Sequence, residues 1–256
     1  MRKSSLIPVA VACCLSACSG GDDTVPTTAT TAVTLVPTTV TLAPDLAAAY
    51  FDGLVAIEAA VGVVAPTGAV PNSDAARYAE YQVAVRDLLD LAPARSVVEA
   101  ASGFQLCDPD GTCATFDDVV TDPGTGRVAS FSIDGVGLAG RIVGDGPTAD
   151  RDGIFAHVTT AYVANSSDVF VVIDIDNTTD VAVELFGFAA VLEPVAVGAG
   201  LEATGAWGDQ RVAPGASARH LLRFPPADLG GRLRLSGLRS DGLDLSFELS
   251  VPSPGE

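Results

Sequence analysis

Residues able to carry catalytic chemistry are few in this chain of 256 residues. Its two histidines are His157 and His220, so a histidine-dependent reaction would need one of them beside a nucleophile such as Ser167 or Ser217. The Gly-x-Ser-x-Gly, His-Glu-x-x-His and Ser-x-x-Lys patterns do not occur. His220 shares a strand face with apolar residues, which indicates a hydrogen-bonded inward side chain or one near a sheet end. We therefore expect no catalytic residues and no enzyme activity.

Residues Gly135 to Gly140 match the Gly-x-Gly-x-x-Gly pattern of dinucleotide sites. Such a site needs the glycines to open a helix that follows a strand. Here Arg141 to Pro147 follow, and this segment holds two further glycines and a proline, so it cannot be that helix. The pattern favours turn glycines, and we expect no nucleotide and no cofactor.

Carboxylates cluster near three predicted turns and raise the question of calcium, which takes six to eight oxygen ligands. None of the clusters has the spacing of an EF-hand loop, so solvated turns are the favoured interpretation and we assign no metal ligand. The clusters are Asp108 with Asp110, Asp145 with Asp150 and Asp152, and Asp174 with Asp176 and Asp180.

The single tryptophan, Trp207, is the candidate ligand contact. It lies in the glycine-rich segment Gly205 to Asp209, which we predict to be a loop between strands. An aromatic side chain on such a loop is suited to contact a protein or a sugar. The alternative is that the ring folds back over the end of the neighbouring sheets.

Two of the five cysteines, Cys107 and Cys113, are predicted to form a disulfide. Pro109-Asp110-Gly111 has the composition of a three-residue hairpin loop, with glycine in the left-handed position. That register places the two cysteines directly opposite each other, where a disulfide is sterically reasonable. A free thiol pair is the alternative.

The charge balance excludes several partners. Lys3 is the only lysine, and residues 18–256 carry 12 Arg against 32 Asp plus Glu, a formal charge of 12 − 32 = −20. Nucleic acid is not expected as a partner, because neutralising phosphates needs a basic face. Anionic membrane surfaces should repel the bulk of the chain.

The beginning of the chain has the pattern of an export signal. Arg2 and Lys3 precede a short apolar stretch, too short to span a membrane, over residues 4–17. The stretch ends in Leu15-Ser16-Ala17-Cys18, which resembles the lipobox of bacterial lipoproteins. The resemblance implies that residues 1–17 are a signal peptide. It also implies that Cys18 carries acyl chains such as palmitate, on the extracytoplasmic face of the cell membrane. A secretory signal with a chance cysteine is the alternative.

Residues 18–44 contain the proposed lipidated cysteine and a run rich in Thr and Pro. Such a composition cannot bury a core, so we predict a disordered tether. Beyond it, residues 45–64 and 73–92 have apolar stripes at helical spacing, with Asp45 and Ser73 as candidate caps. These helices and the strands that follow predict a small α+β domain over residues 45–143.

A turn-rich linker is predicted at residues 144–153, and an all-β region follows it over residues 154–252. The clearest alternation is at residues 243–251. A loop at Ser240-Asp241-Gly242 would pair Leu235 with Phe247 and keep the apolar faces together. The predicted strands are 154–164, 168–177, 181–192, 195–203, 217–224, 231–238 and 243–251.

About seven short strands with turns between them fit a β-sandwich. The region also resembles the immunoglobulin-like domains of bacterial surface lipoproteins. The segments that carry this resemblance are Ile173 to Thr179, Val212 to Gly215 and Leu221 to Pro225. It lacks the inter-sheet disulfide of antibody domains. The resemblance implies binding or assembly and not a shared reaction.

The sequence thus predicts an α+β chain: a helical pair with a small antiparallel sheet, followed by an immunoglobulin-like sandwich. The leading functional hypothesis is a lipid-anchored, extracytoplasmic envelope protein that acts as a non-catalytic binding module for an envelope protein or glycan. One alternative is a carbohydrate-active or other hydrolase with paired carboxylates. Another is a calcium-stabilised structural domain.

Overall fold

The computed structural model describes residues 45–59, 67–89, 96–100, 103–107, 110–196 and 198–255. The predicted signal peptide, Cys18 and the predicted tether lie outside these residues. Residues 43–256 form one compact unit that is mostly β, with two helices and antiparallel sheets. Neither of its helices is long and apolar enough to cross a membrane, among the residues described.

The two predicted helices are confirmed as α1, Leu46–Ala59, and α2, Asp74–Leu89. The carboxylate of Asp45 accepts hydrogen bonds from two backbone N–H groups in the first turn of α1, each at 3.1 Å. The hydroxyl of Ser73 accepts one from the first turn of α2 at 3.2 Å. Both residues therefore cap their helices as predicted, because they satisfy N–H groups that have no partner within the helix.

Sheet I follows the helices and contains five strands in the order β1-β2-β3-β4-β5. Contacts from both helices to β4 position the helical pair on this sheet. The strands are β1 Ser96–Ala100, β2 Gly103–Cys107, β3 Cys113–Thr121, β4 Val128–Ile133 and β5 Val136–Gly137.

Sheet II has the order β13-β15-β9-β8-β6, and β7 also pairs with β8. Its strands are β6 Ile142–Gly144, β7 Ala149–Arg151, β8 Ile154–Val163, β9 Val169–Asn177, β13 Gly205–Trp207 and β15 Ser217–Phe224.

Sheet III has the order β12-β11-β16-β10-β14, and β17 pairs with the free side of β16. A short 3-10 helix, η1 Gly187–Ala189, separates β10 from β11. The strands are β10 Val183–Leu185, β11 Val191–Pro194, β12 Leu201–Glu202, β14 Arg211–Val212, β16 Gly231–Arg239 and β17 Asp244–Val251.

The register predicted for the last hairpin is confirmed. Leu235 lies opposite Phe247, Leu233 opposite Leu249, and Arg234 opposite Glu248. Exposed and buried residues alternate strictly along β17. The register holds because a slip by one residue would move every apolar side chain of the strand to the solvent face.

Two hydrophobic cores hold the unit together. The first lies between sheets II and III and is dominated by Val, Ile and Leu, with Phe224 and Phe247 completely buried. The second contains side chains from the helices, sheet I and the far face of sheet II, where Tyr162, Val172 and Leu221 pack with them. The helical part and the strand-rich part therefore share a core.

The structure differs from the prediction at the proposed linker, residues 144–153. This segment contains the end of β6 and the whole of β7, and both strands pair with β8. Residues 137–143 are also divided, between β5 in sheet I and β6 in sheet II. Gly140, with φ of 77°, lies in the turn that separates these two strands. The composition of this segment indicates a turn, but it does not indicate which sheet the chain joins after the turn.

Two other predicted strands are shorter than expected. The segment 181–192 contains β10, the 3-10 helix and the first part of β11, and the segment 195–203 contains only β12. The 3-10 helix η1 interrupts the first of these segments at Gly187, where the backbone packs closely against Ala206 and Leu222 of sheet II.

Candidate interaction surface

The two histidines and the two candidate nucleophiles do not form a catalytic group. His157 is half-buried in β8, whereas His220 is buried in β15. Ser217 lies on the opposite face of β15 from His220, and its hydroxyl donates a hydrogen bond to Asp176. Ser167 has a φ of 67° and lies in the turn that joins β8 to β9.

His220 has an unusual environment for an ionisable side chain. It is 5% exposed, and its Nε2 atom has no hydrogen-bond partner among the described residues. Burial lowers the pKa of His220, and the charges of Asp209 and Asp174 oppose that shift. Burial therefore favours the neutral imidazole. The side chain faces inward as predicted, but within the described part of the chain its Nε2 atom lacks the predicted hydrogen bond.

The Gly-x-Gly-x-x-Gly segment forms turns, as predicted. Asp134 and Gly135 have φ values of 52° and 75° and form the two-residue turn of the hairpin between β4 and β5. The N–H of Arg141 then donates to the carbonyl of Leu138 at 2.8 Å across the next turn. The chain continues into β6, without a helix that could hold a pyrophosphate.

Four carboxylates of the predicted clusters, those of Asp110, Asp150, Asp174 and Asp176, accept hydrogen bonds from protein groups, and Asp108 lies outside the described residues. Asp174 accepts two hydrogen bonds from Arg219, at 2.6 and 2.8 Å, and Asp150 accepts one from the N–H of Gly153. Over the described part of the chain, no group of three or more His, Cys, Asp or Glu residues is arranged to hold a metal ion. Asp168 is the one buried acidic residue of that part, and Arg223 donates two hydrogen bonds to it.

The predicted disulfide is present. Cys107 in β2 lies directly opposite Cys113 in β3, and their sulfur atoms are bonded. Gly111, in the intervening turn, has a φ of 87° as the hairpin prediction requires. The bond closes the end of a hairpin in sheet I, whereas Trp207 lies in sheet II.

Trp207 is not on a loop, so that part of the prediction is wrong. It is the last residue of β13, where it pairs with Leu221 of β15, and its side chain is half-buried against the helix-side core. The ring lies over Gly205, because a Cβ atom built there would fall 2.3 Å from Cη2 of the indole. The ring thus covers a glycine of its own edge strand. This arrangement is closer to the alternative prediction, in which the ring folds back over the sheets.

The most exposed aromatic side chains lie elsewhere, at a place that the sequence reasoning missed. Phe186 and Phe188 are 39% and 61% exposed, and they flank Gly187 at the 3-10 helix η1. We call residues 186–189 the aromatic turn. An available signal was the Leu-Phe-Gly-Phe order, which interrupts strand alternation with two large apolar residues around one glycine.

Gly187 allows the aromatic turn to pack closely against sheet II. It is buried, and a Cβ atom built on it would fall 2.9 Å from Cβ of Ala206 and 3.3 Å from Cδ2 of Leu222. The backbone at Gly187 thus packs directly against β13 and β15. The N–H of Phe186 donates to the carbonyl of Ser236 at 2.9 Å, which fixes the entry to the turn.

A second surface feature is an open groove of about 520 Å³ beside the ends of β11, β16 and β17. Its polar lining includes Glu193, Arg232 and Ser250, and none of the described residues that line it is aromatic. Arg232 lies 3.9 Å from Glu193 and 3.8 Å from Glu248, contacts that are typical of solvated surface ion pairs. The groove lacks the aromatic or convergent polar groups of a ligand pocket.

No protein-family model and no curated protein matches this chain. Among solved structures, it is similar to a crystal structure of the GAE domain of yeast GGA1, with 10% sequence identity and a TM-score of 0.25. The alignment covers 43% of this chain and 100% of that domain. A likeness at this level carries no argument about fold or partners.

Proposed function

We propose that this protein is a non-catalytic interaction module, held by lipid on Cys18 at the extracytoplasmic face of the cell membrane. The observation that carries the interaction role is the aromatic turn. Phe188 exposes 61% of its surface, although ten of the other described aromatic side chains are buried. Burial of a phenylalanine side chain is worth about 1.5–3 kcal/mol, so an exposed pair is a favourable contact for a partner.

The non-catalytic role is supported by how the polar groups are used. Asp174 and Asp168 are occupied by arginines, and the inward histidine has no nucleophile on its own face of β15. A hydrolase with paired carboxylates would need two such groups facing each other across a cleft. Among the described residues, the buried carboxylate of Asp168 has a guanidinium in that position instead.

For the strand-rich region we infer an immunoglobulin-like sandwich. Two antiparallel sheets with a shared aliphatic core, and the exposed residues that alternate along β17 of sheet III, support this assignment. Folds of this kind serve recognition in many proteins, but the fold alone does not assign a function. The proposal of binding therefore depends on the aromatic turn and not on the fold.

The anchor is proposed from the sequence. Leu15-Ser16-Ala17-Cys18 follows a short apolar stretch, and the Thr/Pro-rich residues after it would hold the folded part away from the bilayer. A formal charge of −20 after residue 17 would oppose contact of the folded part with anionic lipid. An envelope protein is the partner class that this arrangement favours.

The test is a comparison of proteins co-isolated from cells with the full chain and with two variants. The double variant F186S/F188S removes the aromatic turn's apolar surface, and V120S removes an apolar side chain of similar exposure, 55%, from sheet I. We expect a defined set of envelope proteins to be lost with F186S/F188S and retained with V120S. Equal recovery with all three chains would contradict the proposal.

A further inference from the structure

The surroundings of the aromatic turn indicate which kind of partner it fits. The segment from Val183 to Val212 forms β10, the turn and the four strands that follow it. It contains four carboxylates and one guanidinium, a formal charge of 1 − 4 = −3. The carboxylates are Glu184, Glu193, Glu202 and Asp209, and the guanidinium is that of Arg211.

Three of these carboxylates are exposed on segments that neighbour the turn in the chain or in the sheets. Glu184 precedes Phe186 by two residues, and it is exposed opposite Arg211. Glu202 is exposed in β12, opposite Val191 of the strand that leaves the turn. Asp209 is exposed beside Gln210, whose carbonyl accepts the N–H of Leu185 at 2.7 Å. The fourth, Glu193, is engaged by Arg234 at 2.8 Å.

We propose that the aromatic turn binds a basic polypeptide segment with an apolar side chain that packs on Phe188. This inference rests on the proposed function and adds the chemistry of the partner. Phe186 and Phe188 supply a non-polar contact at the centre. Glu184, Glu202 and Asp209 supply a negative rim that attracts lysine or arginine and repels acidic competitors.

An anionic lipid surface fits these observations less well than a polypeptide does. Exposed aromatic side chains do occur at membrane interfaces, but there they are accompanied by lysine or arginine. The aromatic turn has carboxylates on either side, and the chain has no lysine after Lys3. Negative lipid headgroups would therefore be repelled at the place where the phenylalanines would insert.

The test measures binding of three fluorescently labelled synthetic peptides to the purified full chain by anisotropy. One peptide combines lysine with leucine, one glutamate with leucine, and one lysine with serine. We expect the lysine-leucine peptide to bind at least about tenfold more tightly than either of the others. We also expect its affinity to fall with added salt, because part of the attraction is between exposed charges.

Variants separate the contribution of the apolar contact from that of the charge attraction. F188S should weaken binding of the lysine-leucine peptide by about tenfold without changing the chain's charge, and E184Q/E202Q should reduce the salt dependence. V120S is the matched control and should bind as the unmodified chain does.

Three results would overturn the inference: equal affinity for lysine-leucine and lysine-serine peptides, equal affinity for glutamate-leucine, or Phe188-dependent binding to phosphatidylglycerol vesicles. Absence of peptide binding would overturn it as well. The proposed function has its own readout, since loss of co-isolated proteins with F186S/F188S does not depend on the partner being basic.

Discussion

At the scale of single residues, Asn177 is a centre of hydrogen bonding at the end of β9. It is 1% exposed, and its amide nitrogen lies 2.8, 3.3 and 3.0 Å from the carbonyl oxygens of Val181, Val212 and Ala213, which share its two hydrogens. Its amide oxygen accepts the N–H of Thr179 at 3.1 Å. One side chain thus ties the end of β9 in sheet II to β14 of sheet III and to the residues that precede β10.

Replacing Asn177 with Ala should lower the free energy of unfolding by about 3 kcal/mol, because buried carbonyls would lose their donor. The measurement is chemical denaturation followed by circular dichroism. Asn165→Ala is the matched control, since Asn165 is exposed and donates to one carboxylate, that of Asp134. It should change the unfolding free energy by less than about 0.5 kcal/mol. Similar effects of the two substitutions would contradict the role assigned to Asn177.

His220 should make stability depend on pH. Because burial lowers its pKa in the folded state, the unfolded chain binds a proton more readily. The contribution of the neutral imidazole is fully present above the unfolded pKa of about 6.5 and is lost as the pH falls below that value.

We therefore expect His220→Gln to reduce the fall in unfolding free energy between pH 7 and pH 5, whatever its effect at pH 7. Denaturant titrations at several pH values measure that slope. His157→Gln serves as the control for removal of a histidine outside the core. An unchanged slope in His220→Gln would show that the buried imidazole is not the group that titrates.

At the scale of elements, the aromatic turn depends on a residue that has no side chain. A Cβ atom at Gly187 would press on Ala206 and Leu222, both of which belong to strands of sheet II. Gly187→Ala should therefore destabilise the chain by about 1–3 kcal/mol, the range typical of overpacking. Gly137→Ala is the control, because its Cβ would meet only the hydroxyl of Ser132, at 3.8 Å.

The expected result is a lower thermal midpoint for Gly187→Ala, together with weaker partner binding as the turn shifts. Differential scanning calorimetry gives the first quantity and co-isolation the second. A Gly187→Ala chain as stable as Gly137→Ala would mean that the packing of the turn is looser than described.

Elements with strong local signals could be predicted from the sequence. Helix α2 has a capping serine and an apolar stripe, and β17 alternates strictly, so each is defined by its own residues. The hairpin of Cys107 and Cys113 has a short turn that fixes the register. In these cases local chemistry and global packing agree, which is why the predictions hold.

The remaining features depend on contacts between distant residues. The turn at η1 forms because Gly187 meets Ala206, which is 19 residues further along the chain, and no local pattern contains that distance. The strand that contains Trp207 also depends on a distant segment, because β13 pairs with β15. Composition alone indicated a loop there.

At the scale of the whole molecule, the helical pair and the strand-rich region are one packing unit. Tyr78 and Tyr81 of α2 contact the ring of Tyr162 in sheet II, with ring centroids 5.6 and 4.9 Å apart. Sheet II therefore has a core on each of its faces, and the helices cannot be removed without exposing aromatic surface. The strand-rich region is not expected to behave as an independent domain.

The proposed anchor is tested on the whole chain. Cys18→Ala should leave export intact and abolish incorporation of labelled fatty acid, because Cys18 is the proposed site of acylation. Cys107 and Cys113 are bonded to each other and do not offer an alternative thiol. Continued labelling of the Cys18→Ala chain would show that the proposed anchor is wrong.

The central claim is that the aromatic turn is the partner-binding surface. Amine-reactive crosslinkers are poorly suited to test it, since Lys3 is the only lysine of the chain. A photoreactive phenylalanine analogue incorporated at Phe188 avoids this difficulty, and the same analogue at Val120 is the control. We predict that illumination of cells yields a discrete crosslinked product at position 188 and none at position 120. No product at 188, or the same products at both positions, would contradict the account.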